Sequence, residues 1–352
     1  MLFEQANRQH KPINGTFELT SNCNFNCKMC YVHGCRMKSE NASAADWKRV
    51  IDSAYEAGLM YALITGGEPL LHSGFTGIYE HLYKKGVVSV LNTNGYLLDD
   101  LYISFLKKLP PSRINLTLYG ADDETYKNLC GVSQGFTQVE KNIIKLKESG
   151  FNLNLNMTFV KSNVHQIKEM VYFAQKYKLP FRPTTYVFSS SLNGAEERLP
   201  AETAAQKALE IYRLSHTDDE FKKLAYDTYS RFTAGQKNKA DRLSDGTTCR
   251  AGKSSYWIHS DGRLSFCGMA DSKNEKNVFS LGFKEAWDQA AADASSVRNY
   301  ALCSACEYRF ICKRCFAMLN TENINENNLE NSYTCSYYKC YTSELVKIHL
   351  KG

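Results

Sequence analysis

The chain has no run of about 18 apolar residues, so none of its 352 residues reads as part of a membrane-spanning helix. Residues 1–16 are polar and hold no apolar h-region, which excludes a signal peptide and sets a soluble, cytoplasmic expectation. No run of Lys and Arg resembles a nucleic-acid arm. The formal net charge of +6 is dispersed along the chain as on any solvated surface, so neither nucleic acid nor a membrane is expected as a partner. No GxGxxG follows the first predicted strand, which argues against a dinucleotide fold. Nor does any cysteine lie between Cys130 and Cys249.

That last gap matters because cysteine is otherwise abundant. The chain has 13, and the cytosol disfavours structural disulfides, so metal, redox or catalytic use is expected of them. Cys23, Cys27 and Cys30 form one group, Cys35 and Cys130 stand apart, and the other eight fall between 249 and 340. Hydrophobic residues at 43% and charged residues at 23% are an ordinary globular balance, enough for one full domain and a smaller one.

Periodicity predicts a strand at 17–22 and a helix at 44–57, where Trp47, Val50, Ile51, Ala54 and Tyr55 share a face ahead of Gly58. Strands follow at Tyr61–Thr65, 87–92, 114–119, 152–160 and 181–188, alternating with helices at 75–85, 98–108, 137–149 and 164–178. About six strand–helix units of this spacing describe parallel βα repeats and an incomplete barrel. Residues 200–240 read as a polar helical connector. Beyond 249 the helical periodicity fades, apart from a short amphipathic helix near 283–292, and metal centres are expected to organise a region so poor in large aliphatics.

Cys23-Asn24-Phe25-Asn26-Cys27-Lys28-Met29-Cys30 reads C-x3-C-x2-C directly after the first predicted strand. Three thiolates so spaced can hold three irons of a [4Fe–4S] cube and leave the fourth open, whereas a structural zinc takes four protein ligands. Gly66-Gly67-Glu68-Pro69 closes the second strand. With these two segments the sequence resembles the radical S-adenosylmethionine (SAM) superfamily, whose hallmark is that cysteine motif followed by a GGEP-type segment. The resemblance implies an α/β fold, a partial (β/α)6 barrel, over 17–190. It implies that Cys23, Cys27 and Cys30 ligate the cluster while SAM chelates the open iron. Gly66, Gly67, Glu68 and Pro69 are implied cofactor contacts, the glycines letting the backbone approach the methionine amino group. Asn94 and Thr117, at the ends of the third and fourth strands, either face the cofactor or cap turns there. Tyr31 either packs near the adenine or is a core aromatic. Cys35 and Cys130 read as spectator thiols, with a substrate-partner role as the alternative for Cys35.

The late cysteines run Cys249-x17-Cys267, Cys303-x2-Cys306-x5-Cys312-x2-Cys315 and Cys335-x4-Cys340. Paired C-x2-C units alone would suggest zinc knuckles. Behind a radical SAM motif they resemble the SPASM domain, a small C-terminal extension that holds two auxiliary [4Fe–4S] clusters. The family usually has C-x3-C where this chain has Cys312-Lys313-Arg314-Cys315, and one downstream cysteine where this chain has two. By resemblance, Cys249, Cys267 and Cys315 hold the inner cluster. Cys303, Cys306 and Cys312 hold the outer one, with Cys335 or Cys340. The inner cluster then either keeps an open iron or borrows the spare late cysteine, and borrowing is the expectation. Asp261-Gly262 reads as a hairpin turn that brings Cys267 to a strand end. The expected division is an extension at 1–16, the barrel at 17–190, the connector at 191–248 and the SPASM domain at 249–352.

The resemblance implies one-electron reduction of SAM, a 5′-deoxyadenosyl radical, and oxidative modification or cross-linking (thioether or C–C) of a ribosomally made peptide. SAM and three [4Fe–4S] clusters are the implied cofactors; a peptide substrate and an electron donor such as flavodoxin or ferredoxin are the implied partners. Only about 16 residues precede the first predicted strand, so recognition is expected to need either a separate leader-peptide-binding protein or the substrate's own core. Sulfatase-maturing relatives carry an Asp base after the cysteine equivalent to Cys267; here that residue is Gly268, which ranks formylglycine formation low. The alternatives are an aminoglycoside-like small-molecule dehydrogenase or epimerase, and a non-catalytic iron–sulfur electron carrier. Anaerobically reconstituted protein is expected to hold about 12 irons. Replacing Cys23, Cys27 and Cys30 together by Ala should leave about two-thirds of that and abolish SAM cleavage. Stoichiometric zinc with little iron overturns the reading.

Overall fold

The structure, a computed structural model, describes residues 2–30, 42–188, 195–237, 246–270, 276–322 and 328–351. After a short helix α1 (Leu2–Arg8), strand β1 (Asn14–Glu18) lies in the interior of a nine-stranded sheet. β2 (Tyr61–Thr65), β3 (Val88–Thr93), β4 (Arg113–Leu118), β5 (Leu153–Thr158) and β6 (Phe181–Thr184) follow on one side of it, every neighbouring pair parallel. The crossovers are α2 (Ala44–Glu56), α3 (Phe75–Lys84), α4 (Asp100–Lys108), α5 (Asp123–Cys130) with α6 (Gly135–Glu148), and α7 (Ile167–Lys176). This is an α/β fold with six parallel strands in a partial barrel.

The local causes are visible in the sequence. α2 starts at a reciprocal cap in which Ser43 Oγ accepts from Asp46 N and the Asp46 carboxylate accepts from Ser43 N. Its Trp47, Val50, Ile51 and Ala54 then form the buried stripe. α5 was not expected; Asp122 caps it and Gly131, at φ +73°, ends it.

β1 begins three residues before the predicted strand and ends at Glu18. Part of the predicted extension is therefore sheet. Asn14-Gly15 reads locally as a turn, but pairing on both sides overrides that: Gly15 lies opposite Ala62 on β2 and Tyr256 on β7 (Ser255–Ile258). A Cβ at Gly15 would run into the Tyr256 ring. β7 pairs with β1 in parallel, and β8 (Arg263–Ser265) and β9 (Lys276–Asn277) continue antiparallel. The cysteine-rich third is thus joined to the barrel through one continuous sheet. The Asp261-Gly262 turn forms as read, with Gly262 at φ +86° and the Asp261 carboxylate accepting from Arg263 N. His259 bridges the join: Nδ1 is 3.0 Å from the buried Glu18 carboxylate on β1, and Nε2 is 3.0 Å from Ser265 Oγ on β8.

Two long helices, α8 (Ala201–Ser215) and α9 (Asp218–Lys237), fill the predicted connector. After α10 (Val278–Leu281), α11 (Phe283–Ser296), α12 (Ala301–Ala305) and α13 (Phe316–Asn320) comes α14 (Tyr333–Lys351), a 19-residue helix that the fading periodicity beyond 249 did not anticipate. Its inward face is built of Tyr338, Thr342 and Leu345, buried among α8 and α9. Tyr and Thr in place of Leu and Val hid the 3.6-residue period. β6 stops at Thr184, four residues short of the predicted strand, because Thr185 turns its hydroxyl to the Ala204 carbonyl of α8. It is an edge strand and carries Pro183, which cannot donate to a further strand. No described helix is long and apolar enough to cross a membrane.

Candidate active site

The loop from Leu19 to Cys30 crosses the C-terminal ends of the barrel strands and is held on two sides and from below. Gly67 N donates to Thr20 O (2.7 Å) and Glu68 N to Asn22 O (2.8 Å). On the other side, Asn26 N and Lys28 N donate to the carbonyls of Cys130 and Leu129, the last and otherwise open acceptors of α5. Between these clasps Phe25 plugs into the barrel, 2% exposed, edge-on to Tyr96, Tyr119 and Tyr126.

The glycines have a structural cause besides the expected one. A Cβ on Gly66 would collide with Thr20 O, and one on Gly67 with Asn22 O. Gly66 also sits at φ +146°. They are bare so that the cysteine loop can lie against them. The Glu68 side chain is turned inward, not toward a ligand. Its carboxylate is fully buried and accepts from Thr93 Oγ1 (2.8 and 2.9 Å), Asn94 N (2.8 Å) and Leu70 N (3.2 Å), tying the end of β2 to the end of β3. Burial pushes its carboxyl up to about 7, against the opposing pull of those donors.

Above the strand ends lies a cavity of about 440 Å³. Cys23, Cys27 and Cys30 line it together with Gly66, Gly67, Asn94 and Thr117. Glu68 and Pro69 are absent from its wall, and Tyr31 and Cys35 lie outside the described residues. Asn94 Nδ2 reaches Asn24 Oδ1 at 2.8 Å and lies 3.8 Å from Cys23 Sγ, while its Oδ1 accepts from Tyr96 N. Thr158 and Thr184, at the ends of β5 and β6, and Tyr186 and Met269 complete the wall. Sequence reasoning stopped at the fourth strand; the same strand-end rule applied to the fifth and sixth finds the two threonines. Asn24 Nδ2 is buried with no protein partner. Three thiols, bare glycine backbone, a ring of Asn and Thr, and an orphaned amide fit an iron–sulfur cluster with a polar cofactor beside it.

Cys130 is fully buried under the loop and does not line the cavity; burial, with the Cys27 sulfur beside it, pushes its thiol far up. The late thiols fall into two groups. Cys303, Cys306, Cys312 and Cys335 surround a small cavity of about 40 Å³. Cys249 and Cys315 lie near Cys267, whose thiol burial pushes up to about 11. Cys340 joins neither. One and a half turns along α14 from Cys335, it points to the Glu202 carbonyl of α8 at 3.7 Å, which corrects the expectation that it serves as a ligand or completes the inner set. Among the described residues no three Cys, His, Asp or Glu side chains converge closely enough to hold a single ion. Thiols that ring a cavity without meeting at one point suit a multi-iron cluster, which brings its own sulfides. Gly268 lies flat under Trp257, and any Cβ there would strike the indole, so an Asp base cannot occupy this place without moving the ring.

Comparison with known proteins agrees with this geometry. Residues 17–174 match the Radical SAM superfamily. The antilisterial bacteriocin subtilosin biosynthesis protein AlbA of Bacillus subtilis strain 168 is 24% identical over 345 residues, 95% of this chain and 73% of AlbA. The AdoMet-dependent heme synthase of Nitratidesulfovibrio vulgaris is 21% identical over 91% of each chain. In fold, the chain resembles Streptococcus suis SuiB bound to precursor peptide SuiA, with a TM-score of 0.69 and 20% identity over 91% of this chain and 76% of SuiB.

Replacing Cys335 by Ala should remove about four irons, and Cys340→Ala should remove none, as read by iron analysis after reconstitution. Glu68 gives a pH signature. Its folded value of about 7 lies above the unfolded 4.5, so the stability it contributes is full below 4.5 and is lost as pH rises through 7. Denaturant titrations between pH 5.5 and 8 should show that slope in the wild type and a flatter profile in Glu68→Gln. Glu68→Gln should also be destabilised by about 1–3 kcal/mol at the acid end, its amide N–H group facing the Asn94 donor.

Proposed function

We propose that this chain, whose residues 17–174 are a radical SAM domain, performs an oxidative modification or cross-link on a ribosomally made peptide and carries two auxiliary [4Fe–4S] clusters besides the SAM-binding one. The observation that carries the reading is the grouping of the late thiols. Four ring one cavity, three more lie in reach of one another, and Met269, two residues beyond Cys267, stands in the wall of the active cavity. In this reading Cys23, Cys27 and Cys30 hold the first cluster, Cys249, Cys267 and Cys315 an inner one with an open iron, and Cys303, Cys306, Cys312 and Cys335 the outer one. Bound together, the first cluster and SAM supply a carbon radical able to take a hydrogen atom from an unactivated carbon.

What the chain itself contributes is aim and exclusion. The clasped loop fixes the three thiols relative to Asn94 and Thr117, and Tyr119, Tyr186, Phe188 and Met269 add apolar surface to the cavity wall. A redox-neutral outcome needs a hydrogen donor next to the substrate, for which the candidates are Cys35 and Cys130; Cys130 is sealed beneath the loop, and Cys35 lies outside the described residues. The peptide assignment draws on AlbA and SuiB, and includes a cytoplasmic setting, an external electron carrier such as flavodoxin or ferredoxin, and a separate leader-binding protein. A small-molecule substrate is the second reading, favoured by the likeness to AdoMet-dependent heme synthase over 91% of both chains.

The test is turnover of a short peptide encoded beside the gene, with SAM and a chemical reductant, read by mass spectrometry. The expected product is lighter by two hydrogens for each bond formed. Cys249→Ala and Cys267→Ala should still release 5′-deoxyadenosine yet yield no mature product. A product of unchanged mass carrying one solvent deuterium overturns the oxidative reading; turnover of a tetrapyrrole or aminoglycoside in place of any peptide supports the second one.

A further inference from the structure

The active cavity and the outer group of thiols differ in the charge around them. Among the described residues, the wall of the active cavity contains no Arg or Lys. The outer group is different. Arg309, Arg314 and Lys339 share the wall of its cavity with Cys303, Cys306, Cys312 and Cys335. Arg309 is 1% exposed, one of the largest fully buried side chains of the molecule, and its Nη1 donates to the carbonyls of Gly235 and Cys306, both at 2.8 Å. Arg314 follows Cys312 by two residues in a left-handed backbone conformation, φ +47°, with its N–H directed at Cys312 Sγ at 3.4 Å. Its Nε is buried with no hydrogen-bond partner. Glu307, a carboxylate beside this group, stays out of the cavity wall and accepts from Gln236.

The Arg314 guanidinium, its Nε buried without a partner in the wall of a small thiol-lined cavity, is costly to bury unless an anion sits beside it. Four thiolates around a [4Fe–4S] core form such an anion, and the added electron of the reduced state makes it more negative still. Cations close by, and N–H groups aimed at the sulfurs, favour the reduced form and raise the potential. We propose that Arg309 and Arg314 are positioning residues for the outer auxiliary cluster, setting its reduction potential above that of the inner one so that an electron taken from the substrate comes to rest on it. The inference rests on the reading that Cys303, Cys306, Cys312 and Cys335 hold a four-iron cluster. Neither arginine touches the active cavity.

The experiment is an EPR-monitored redox titration of the reconstituted full chain in which Cys23, Cys27 and Cys30 are replaced by Ala, so that only the auxiliary clusters titrate. The outer signal is the one lost in Cys335→Ala. Arg314→Asn removes the cation and keeps a residue that tolerates positive φ. It should lower the reduction equilibrium constant of the outer cluster about tenfold, 59 mV for a one-electron couple, and leave the inner signal in place. Arg314→Lys should restore most of it, and Arg309→Gln should shift the same signal the same way. Full iron with no shift in either arginine variant overturns the proposal, as does an equal shift of both signals. So does loss of about four irons in Arg314→Asn, which would make that residue an assembly element. No peptide enters the titration, so these failures leave the peptide reading standing. If Cys335→Ala loses neither iron nor a signal, the cluster reading beneath the proposal fails instead.

Discussion

The contact on which this molecule depends is a backbone clasp only a few atoms wide. Gly67 N and Glu68 N hold the carbonyls of Thr20 and Asn22, and there is no room for a Cβ on either Gly66 or Gly67. Everything that gives the cavity its chemistry hangs from that contact. It sets the height of the Cys23–Cys30 loop above the strands, and so the depth to which Phe25 can plug into the aromatic ring below. Through the buried Glu68 carboxylate it also fixes the end of β3, where Asn94 stands beside Cys23. A carboxylate with three donors and no exposure is an expensive way to join two strand ends. It is also a stiff one, because each of its bonds is directional and none can be exchanged for water.

How much of this could be read from residues alone depended on range. C-x3-C-x2-C, the GGEP segment and the spacing of strand–helix units are local patterns, and the partial barrel with its thiol-lined cavity followed from them. Pairings of distant segments left no local trace. Nothing in Asn14-Gly15 announces a strand flanked on both sides, and nothing in Ser255–Ile258 announces its partner. α14 was concealed by composition, since Tyr and Thr bury an inward face that a search for Leu and Val overlooks. Cys335 and Cys340 looked interchangeable as a short spacing, yet five residues along a helix place the second on another face, toward α8. Glu68 reads in its motif as a cofactor contact; the three donors on its carboxylate, Leu70, Thr93 and Asn94, which no local pattern announces, join the turn after β2 to the end of β3.

The late cysteines show how one element is given different work by its surroundings. Cys267 follows a hairpin steadied by the Glu18–His259–Ser265 bridge, beside a glycine that must stay bare for Trp257. Cys303, Cys306 and Cys312 belong to short turns with few large aliphatics, and Arg309 there does the work of a core residue, spanning from Cys306 to α9. The first of these regions is ordered by sheet hydrogen bonds. In the second, a buried cation ties the turns to α9.

The position of β1 bears on how the chain is made. Glu18 and His259 face each other across 241 residues of sequence. A ribosome releases β1 and β2 early, so the barrel can begin to zip from β2 toward β6 while the other border of β1 waits for a strand not yet synthesised. For most of translation that border is an unpaired sheet edge in the middle of the future protein, open to any passing strand. Contacts of such long range also slow the search for the native state. That border of β1 closes only when β7 has emerged and paired with it.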